Sequence, residues 1–197
     1  MKKFYNILLA ILIIAAILVI AMIAIKYGRN QINEKEIKNT ISQLEEEIQA
    51  RSENDNSSTE NIETTYKGYA IEGIIEIPKI NLKYPILCET NEESMKISVT
   101  KFWGPNVNEI GNFTIAGHNN KDGTMFGETK YLEIGDTIKL TDLKNNTIEY
   151  QVFDIYSIDP NDVSIVESVE QGTREVTLIT CTNGHKNRLI VKGREIK

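Results

Sequence analysis

Three polar residues at the ends of predicted strands carry side chains suited to acyl transfer. Cys181 ends the run Glu175-Val-Thr-Leu-Ile-Thr-Cys181 and is followed at once by turn residues. His118 ends the run Phe113-Thr-Ile-Ala-Gly-His118, and Arg188 begins the run Arg188-Leu-Ile-Val-Lys. Strand ends hold side chains firmly while leaving them accessible to a substrate. We therefore predict that the three side chains meet at one rim of a barrel.

The thiol, the imidazole and the guanidinium have complementary roles in this chemistry. Only a small fraction of an ordinary cysteine thiol is thiolate at neutral pH, so a neighbouring imidazole is needed to exchange its proton. A guanidinium keeps its positive charge and stabilises the oxyanion of a tetrahedral intermediate, an effect worth about 3 kcal/mol. These residue types predict a cysteine-dependent acyl transfer by His118, Cys181 and Arg188.

The chain has two histidines and two cysteines, which leaves alternatives open. His185 lies four residues after Cys181. A short turn holds a base less firmly than a strand end does, so we favour His118. A disulfide between Cys88 and Cys181 would instead indicate a non-catalytic binding barrel. With water in place of an amine acceptor, the same three side chains would form a thiol hydrolase.

No spacing typical of a metal site occurs in the sequence. It contains neither Cys-x-x-Cys nor His-x-x-x-His. Its scattered carboxylates, such as Glu92, Glu93, Glu128 and Glu133, are typical of a solvated surface rather than of a calcium site. We expect no metal ion and no other cofactor.

Short β-rich runs separated by Gly, Pro, Asn and Asp occupy the chain from Gly68 onward. Strands are predicted over Ile71–Ile77, Leu82–Leu87, Asn112–Gly117, Thr137–Thr141, Thr147–Ile158, Glu175–Cys181 and Arg188–Val191. Short helices are predicted over Glu92–Val99 and Phe126–Tyr131, and a hairpin turn at Lys144-Asn145-Asn146, because asparagine tolerates positive φ. Since strands and helices do not alternate, we predict an all-β domain that forms a β-barrel, with a sandwich as the alternative.

The amino-terminal part of the chain is apolar. Ile7–Ile25 is an unbroken run of 19 apolar residues, long enough at about 1.5 Å per residue to cross a bilayer. We predict an uncleaved transmembrane anchor over residues 1–28, a helical stalk with a flexible linker over 29–66, and the catalytic domain over 67–197. The flanking charges do not decide the orientation of the anchor.

The predicted stalk and linker differ in their patterns. Ile37, Ile41, Leu44 and Ile48 recur at helical spacing among polar residues, which predicts an amphipathic helix. Barely two heptads are present, so we favour a solvated helix over a coiled-coil dimer. Ser52–Thr65 contains one large apolar residue and is predicted to be a flexible linker.

Composition and charge exclude several classes of protein. The chain has 197 residues, of which 41% are apolar and 25% charged, which excludes collagen-like and fully disordered chains. It contains 22 lysine and arginine residues against 28 aspartate and glutamate residues. We expect no nucleic-acid partner, because proteins that bind nucleic acids neutralise phosphates with basic side chains.

Four segments resemble one enzyme family in their order and spacing. Thr177-Leu-Ile-Thr-Cys181 is similar to the TLxTC signature of sortases, the cysteine transpeptidases that attach proteins to Gram-positive cell walls. The other segments, which resemble the early strand, the histidine strand and the arginine strand of that family, are Ile75-Glu-Ile-Pro-Lys-Ile-Asn, Ala116-Gly-His118 and Arg188-Leu-Ile-Val-Lys-Gly. The resemblance covers residues 70–196.

The resemblance implies a sortase-like eight-stranded β-barrel and a two-step reaction. Cys181 would attack the Thr–Gly carbonyl of an LPxTG-like sorting signal, and an amine such as lipid II or a peptidoglycan cross-bridge would resolve the thioester. His118 would be the acid or base, Arg188 the oxyanion or substrate clamp, and Thr180 a substrate contact. The resemblance also implies a single-pass cell-membrane protein with its catalytic domain outside the cytoplasm.

Overall fold

The computed structural model describes residues 2–53, 64–162, 164–166, 171–182, 184 and 186–196. The chain forms two compact units, Met1–Asn39 and Thr40–Lys197. Most of the predicted linker, residues 54–63, lies outside the described residues. The described ends of that linker belong to a helix and to a strand.

The first helix, α1, spans Lys2–Glu53. Large apolar side chains from Ile11 to Ile25 are between 49% and 65% exposed in it. No helical stretch that the structure describes meets the length and hydropathy needed to cross a membrane, so the predicted transmembrane helix is not found there.

The carboxyl-terminal part of α1 belongs to the second unit, where one of its faces is buried. Ile41, Leu44 and Ile48 are 4%, 2% and 1% exposed. Their spacing of three and four residues brings them to the same side of the helix. Glu45, beside them, forms an ion pair of 2.6 Å with Lys83. The predicted amphipathic helix is therefore present, and the compact unit begins at Thr40.

Nine strands follow within the described residues. They are β1 (Thr65–Tyr66), β2 (Tyr69–Ile77), β3 (Leu82–Leu87), β4 (Val99–Trp103), β5 (Gly111–Ala116), β6 (Thr137–Asp142), β7 (Thr147–Ile158), β8 (Arg174–Thr182) and β9 (Asn187–Glu195). Hydrogen bonds connect them in the order β1-β2-β3-β4-β5-β8-β9-β7-β6, and β6 also pairs with β2. In this part of the chain β2 to β9 therefore close into an eight-stranded barrel, which confirms the predicted fold.

Short helices lie between the strands. They are helix α2 (Glu92–Ile97) and the 3-10 helices Pro78–Ile80, Thr129–Tyr131 and Ser164–Val166. The side chain of Asn91 caps α2 by accepting from the backbone N–H groups of Glu93 and Ser94. The predicted helix over Glu92–Val99 thus ends two residues early, and the predicted helix over Phe126–Tyr131 is a single 3-10 turn.

All seven predicted strands are present, and β3 and β7 have the predicted bounds. Strands β1 and β4 were not predicted. In β4 the pairing register shifts between Lys101 and Trp103, so the alternation that marks a strand in sequence is interrupted. The predicted hairpin turn connects β6 and β7, with Asn145 at a φ of 67°.

A buried polar network lies inside the barrel. Tyr150 is 1% exposed, and its hydroxyl donates to Asn108 Oδ1 at 3.1 Å. Asn108 Nδ2 donates in turn to the carbonyls of Leu140 and Asn146, at 3.0 and 2.9 Å. Burial of the phenol, with a smaller contribution from the negative charge of Glu195, raises the pKa of Tyr150 far above its usual value.

Candidate active site

The structure places Cys181 and Arg188 opposite each other on neighbouring strands. Strands β8 and β9 are antiparallel, and the two residues are direct cross-strand partners in that ladder. Side chains of directly opposed residues project from the same face of a sheet. Cys181 and Arg188 are both partly exposed there. The thiol of Cys181 and the guanidinium of Arg188 therefore lie side by side on the β8–β9 ladder.

His118 reaches the same position from the other side of β8. Strand β5 runs parallel to β8, with Ala116 opposite Ile179. The ladder continues past the end of β5, because the N–H of Gly117 donates to the carbonyl of Ile179 at 3.1 Å. Two residues beyond Ala116 and Ile179, this register sets His118 beside Cys181.

These three side chains project from the outer face of the barrel. A Cβ added to Gly193 would lie 3.0 Å from Val176 and 3.4 Å from the fully buried Ile138, so Val176 points into the core. Successive side chains of a strand alternate between faces, and Cys181 is an odd number of residues from Val176. The thiol therefore projects outward, and the register brings Arg188 and His118 to that same face.

An apolar floor lies next to the three side chains on this outer face. The next outward-facing residue along each strand is Ala116 on β5, Ile179 on β8 and Ile190 on β9. Ala116 is 6% exposed and Ile190 is 0% exposed. The 3-10 turn Ser164–Val166, between β7 and β8, covers the sheet further along. Asn112 Nδ2 donates at 2.7 Å to the carbonyl of Ile165, which is 3% exposed.

Close packing requires a glycine immediately before His118. A Cβ on Gly117 would lie 2.7 Å from Phe126 Cδ2 and 3.0 Å from Val99 Cγ1, so only glycine fits without displacing buried side chains. After this point Asn119 forms an antiparallel bridge with Met125, and the N–H of Phe126 donates to the carbonyl of His118 at 3.0 Å. The loop over residues 119–125 therefore folds back on the site.

Two further hydrogen bonds connect this loop region to β8. The Thr180 hydroxyl donates to the carbonyl of Gly117 at 2.7 Å, and Thr180 is 4% exposed. Asn119 Nδ2 donates to the carbonyl of Cys181 at 2.7 Å. Asn119 is not evident as a site residue from the sequence, where it stands in a polar turn. Its position directly after His118 is the only sequence signal for it.

The structure contradicts the disulfide alternative. Cys88 is exposed and Cys181 partly exposed, and both are thiols. The other candidate base, His185, lies outside the described residues. Among the residues that the structure describes, no group of three or more histidine, cysteine, aspartate or glutamate side chains is arranged to hold a metal ion.

The family of the protein follows from this fold together with the sequence around the site. A family model described as "Sortase domain" matches residues 75–196, which is more than half of the chain. The chain belongs to the sortase family. Sortases are cysteine transpeptidases that act on LPxTG-like sorting signals, and the matched region contains all three residues brought together at β5, β8 and β9.

Several known sortases resemble the chain. Sortase A of Listeria monocytogenes is 32% identical over 117 residues, which are 59% of this chain and 51% of that protein. Sortase D of Bacillus subtilis is 28% identical over 212 residues, which cover 100% of both chains. The structure of a Clostridium perfringens sortase D5 transpeptidase matches with a TM-score of 0.65 and 26% identity over 82% of this chain and 98% of that one. The chain thus spans about half of the Listeria protein and nearly all of the other two.

Proposed function

We propose that this sortase is a membrane-anchored transpeptidase that uses Cys181, His118 and Arg188 to cleave an LPxTG-like sorting signal and transfer its acyl group to a cell-wall amine. One observation carries the proposal. Adjacent strands bring a thiol, an imidazole and a guanidinium to the same position on one outer face of the barrel. His118 is far from Cys181 and Arg188 in sequence, so only the pairing of β5 with β8 accounts for its position beside them.

In the proposed first step, the Cys181 thiolate attacks the carbonyl carbon between Thr and Gly of the sorting signal. A C–S bond forms, and the carbonyl electrons move onto oxygen to give a tetrahedral oxyanion. When the oxyanion collapses, the C–N bond breaks, and His118 gives a proton to the leaving amine. The acyl part of the signal then remains on Cys181 as a thioester.

In the proposed second step, an amine of lipid II or of a peptidoglycan cross-bridge attacks the thioester. A new amide bond forms, the C–S bond breaks, and His118 accepts the proton that the amine loses. Arg188 stabilises the oxyanion in both steps with the positive charge of its guanidinium. The loss of one oxyanion donor commonly costs about 10²–10³-fold in rate.

The proposed contact of Thr180 with substrate has no support from its geometry. Its side chain is 4% exposed, and its hydroxyl is engaged with the carbonyl of Gly117. This burial favours a structural role for Thr180, which holds the end of β5 against β8 beside the nucleophile.

We propose that residues 7–25 attach the enzyme to the cell membrane, with the catalytic domain on the wall side. The support is the run of 19 apolar residues, since a helix that is apolar on every side needs an apolar environment. The test separates membranes from soluble material by centrifugation. We expect the chain in the pellet after a carbonate wash, and its release into the supernatant would contradict this attachment.

The test of the transpeptidase is intact mass analysis of the detergent-solubilised full chain after incubation with an LPxTG-type peptide. We expect an adduct that hydroxylamine releases, as a thioester requires. Because the chain has two cysteines, Cys88→Ala is a matched control that keeps the adduct, whereas Cys181→Ala abolishes it. Addition of a glycine-based amine then gives a new amide product. Hydrolysis alone in the presence of this amine would indicate a thiol hydrolase, and an absent adduct would contradict both functions.

A further inference from the structure

The carbonyl of Cys181 accepts a hydrogen bond that the backbone ladder between β5 and β8 does not supply. In a parallel ladder, the N–H groups of every second residue on one strand donate to carbonyls that lie two residues apart on the other. The N–H of Gly117 donates to the carbonyl of Ile179. The next bond of this series would join the backbone N–H of Asn119 to the carbonyl of Cys181. In the structure the side-chain amide of Asn119 makes that bond instead, at 2.7 Å.

The backbone of Asn119 takes part in a different pairing. Asn119 bridges Met125 across the loop that follows His118, and the N–H of Phe126 donates to the carbonyl of His118. The chain thus leaves the β5–β8 ladder directly after the residue that carries the imidazole. The Asn119 side chain continues the ladder by one bond, and it does so at the nucleophile itself.

We infer that Asn119 is a positioning residue, whose side-chain amide holds the end of β8 in register with the His118 loop and so fixes the thiol relative to the imidazole. The inference rests on the proposed function, because it assigns Asn119 to the same site. Asn119 does not transfer a proton or touch the scissile bond. It acts through the backbone carbonyl of Cys181 itself.

The exposure of this bond separates a positioning role from a structural one. Asn119 is exposed, and an exposed hydrogen bond contributes little to the stability of the fold. In contrast, a small misplacement of two reacting groups lowers the rate strongly, by up to about 10²-fold for a shift near 1 Å. Loss of the Asn119 amide is therefore expected to lower turnover far more than it lowers thermal stability.

The adjacent residue provides a matched control. Asn120 has the same side chain and lies in the same loop, but its Nδ2 donates to Thr124 Oγ1 at 2.9 Å, within the loop. Asn119→Ala and Asn120→Ala remove the same atoms. Asn119→Asp and Asn120→Asp make the same change of charge, and only the first places a carboxylate against the carbonyl of Cys181.

The experiment measures kcat and KM of these full-length variants with an LPxTG-type peptide. We expect kcat of Asn119→Ala to fall about tenfold and that of Asn119→Asp to fall further, with KM within about twofold of wild type. The melting temperature should shift by less than about 4 °C. Both Asn120 variants should keep kcat within about twofold of wild type. Equal kcat values for the two alanine variants would overturn the inference.

Amide hydrogen exchange tests the same bond without any substrate. We expect peptides that cover residues 112–119 and 175–182 to exchange about fivefold faster in Asn119→Ala, and to exchange as in wild type in Asn120→Ala. Unchanged exchange in Asn119→Ala would overturn the inference even if the wild-type enzyme is active. A wild-type enzyme that forms no adduct while Asn119→Ala exchanges faster would contradict the proposed function and leave the positioning bond supported.

Discussion

The two histidines of the chain provide a direct test of the proposed proton transfer. Removing the group that exchanges protons with a nucleophile and a leaving amine typically costs about 10²–10⁴-fold in rate. We expect His118→Ala to lower kcat for cleavage of an LPxTG-type peptide by that amount. His185→Ala is the matched control and should remain within about threefold of wild type. A severe effect of His185→Ala with an active His118→Ala would assign the base to His185.

At the residue level, the sequence predicts that Cys181, His118 and Arg188 lie together, because each stands at a strand end in a recognisable run. The structure brings the three residues to one face of the barrel, and their catalytic roles stay a prediction. Asn119 was missed. Its role depends on which way the backbone turns after His118, and that turn is set by a bridge to Met125 across the loop. Such a bridge leaves no local pattern in the sequence.

At the level of elements, two threonines on one rung of the β5–β8 ladder make a contrasting pair. Thr114 and Thr177 are direct partners, and both are 0% exposed. The Thr177 hydroxyl donates to Asn112 Oδ1 at 2.7 Å, whereas Thr114 Oγ1 has no hydrogen-bond partner among the described residues. The two hydroxyls are therefore equally buried, but only the Thr177 hydroxyl is hydrogen-bonded.

This contrast predicts opposite effects of one substitution. Valine has nearly the shape of threonine, and an unsatisfied buried hydroxyl is costly. We expect Thr114→Val to leave the free energy of unfolding unchanged or to raise it by about 1 kcal/mol. Thr177→Val should lower it by about 1–3 kcal/mol, because it leaves Asn112 Oδ1 without its donor. Denaturant unfolding of both variants measures the difference, and equal losses would show that Thr114 is hydrogen-bonded in solution.

Element prediction followed local periodicity and failed where the periodicity is interrupted. Strands β3 and β7 have the predicted bounds because their residues are β-rich and end in turn signals. Strand β4 was missed, because its first residue had been assigned to the preceding helix and its register shifts between Lys101 and Trp103. The capping by Asn91 explains where α2 begins, but no comparable signal marks its end.

At the scale of the whole molecule, the network around Tyr150 is expected to make the free energy of unfolding decrease as the pH becomes alkaline. Burial first, and then the charge of Glu195, raise the pKa of Tyr150 in the folded state. The neutral phenol is thus favoured by folding. The resulting stabilisation is fully present below the unfolded pKa of about 10 and is lost as the pH rises toward the folded pKa.

Comparison with Tyr150→Phe isolates this effect from the other tyrosines. At pH 8 we expect the variant to be less stable by about 1–3 kcal/mol, because Asn108 Oδ1 loses the donor that Tyr150 supplies. Between pH 9 and 11.5 the wild type should lose stability faster than the variant, so the difference between them narrows. Denaturant unfolding at a series of pH values measures it. A constant difference over this range would contradict the assigned burial of the phenol.

Closure of the barrel and the start of the compact unit are properties of the whole chain. Local patterns predicted a barrel but did not identify its closing pair, β2 with β6, because more than 60 residues separate the pair in sequence. Likewise, the helical spacing of Ile41, Leu44 and Ile48 predicted an apolar face, but the favoured interpretation, a solvated helix, was wrong because this face is covered. In the structure these side chains are buried within the unit that begins at Thr40.

The buried helical face of α1 contributes to the stability of the unit to which it belongs. If the carboxyl-terminal part of α1 is an integral part of the folded unit, truncation of its central leucine must destabilise that unit. Leu44 is 2% exposed, so we expect Leu44→Ala to lower the free energy of unfolding by about 2–5 kcal/mol. Gln43→Ala, on the exposed side of the same turn, should change it by less than about 0.5 kcal/mol. Denaturant unfolding followed by the single tryptophan, Trp103, reports on the barrel rather than on the helix. Equal midpoints for the two variants would mean that the helix is a separate stalk, because the barrel would then unfold without regard to the buried leucine.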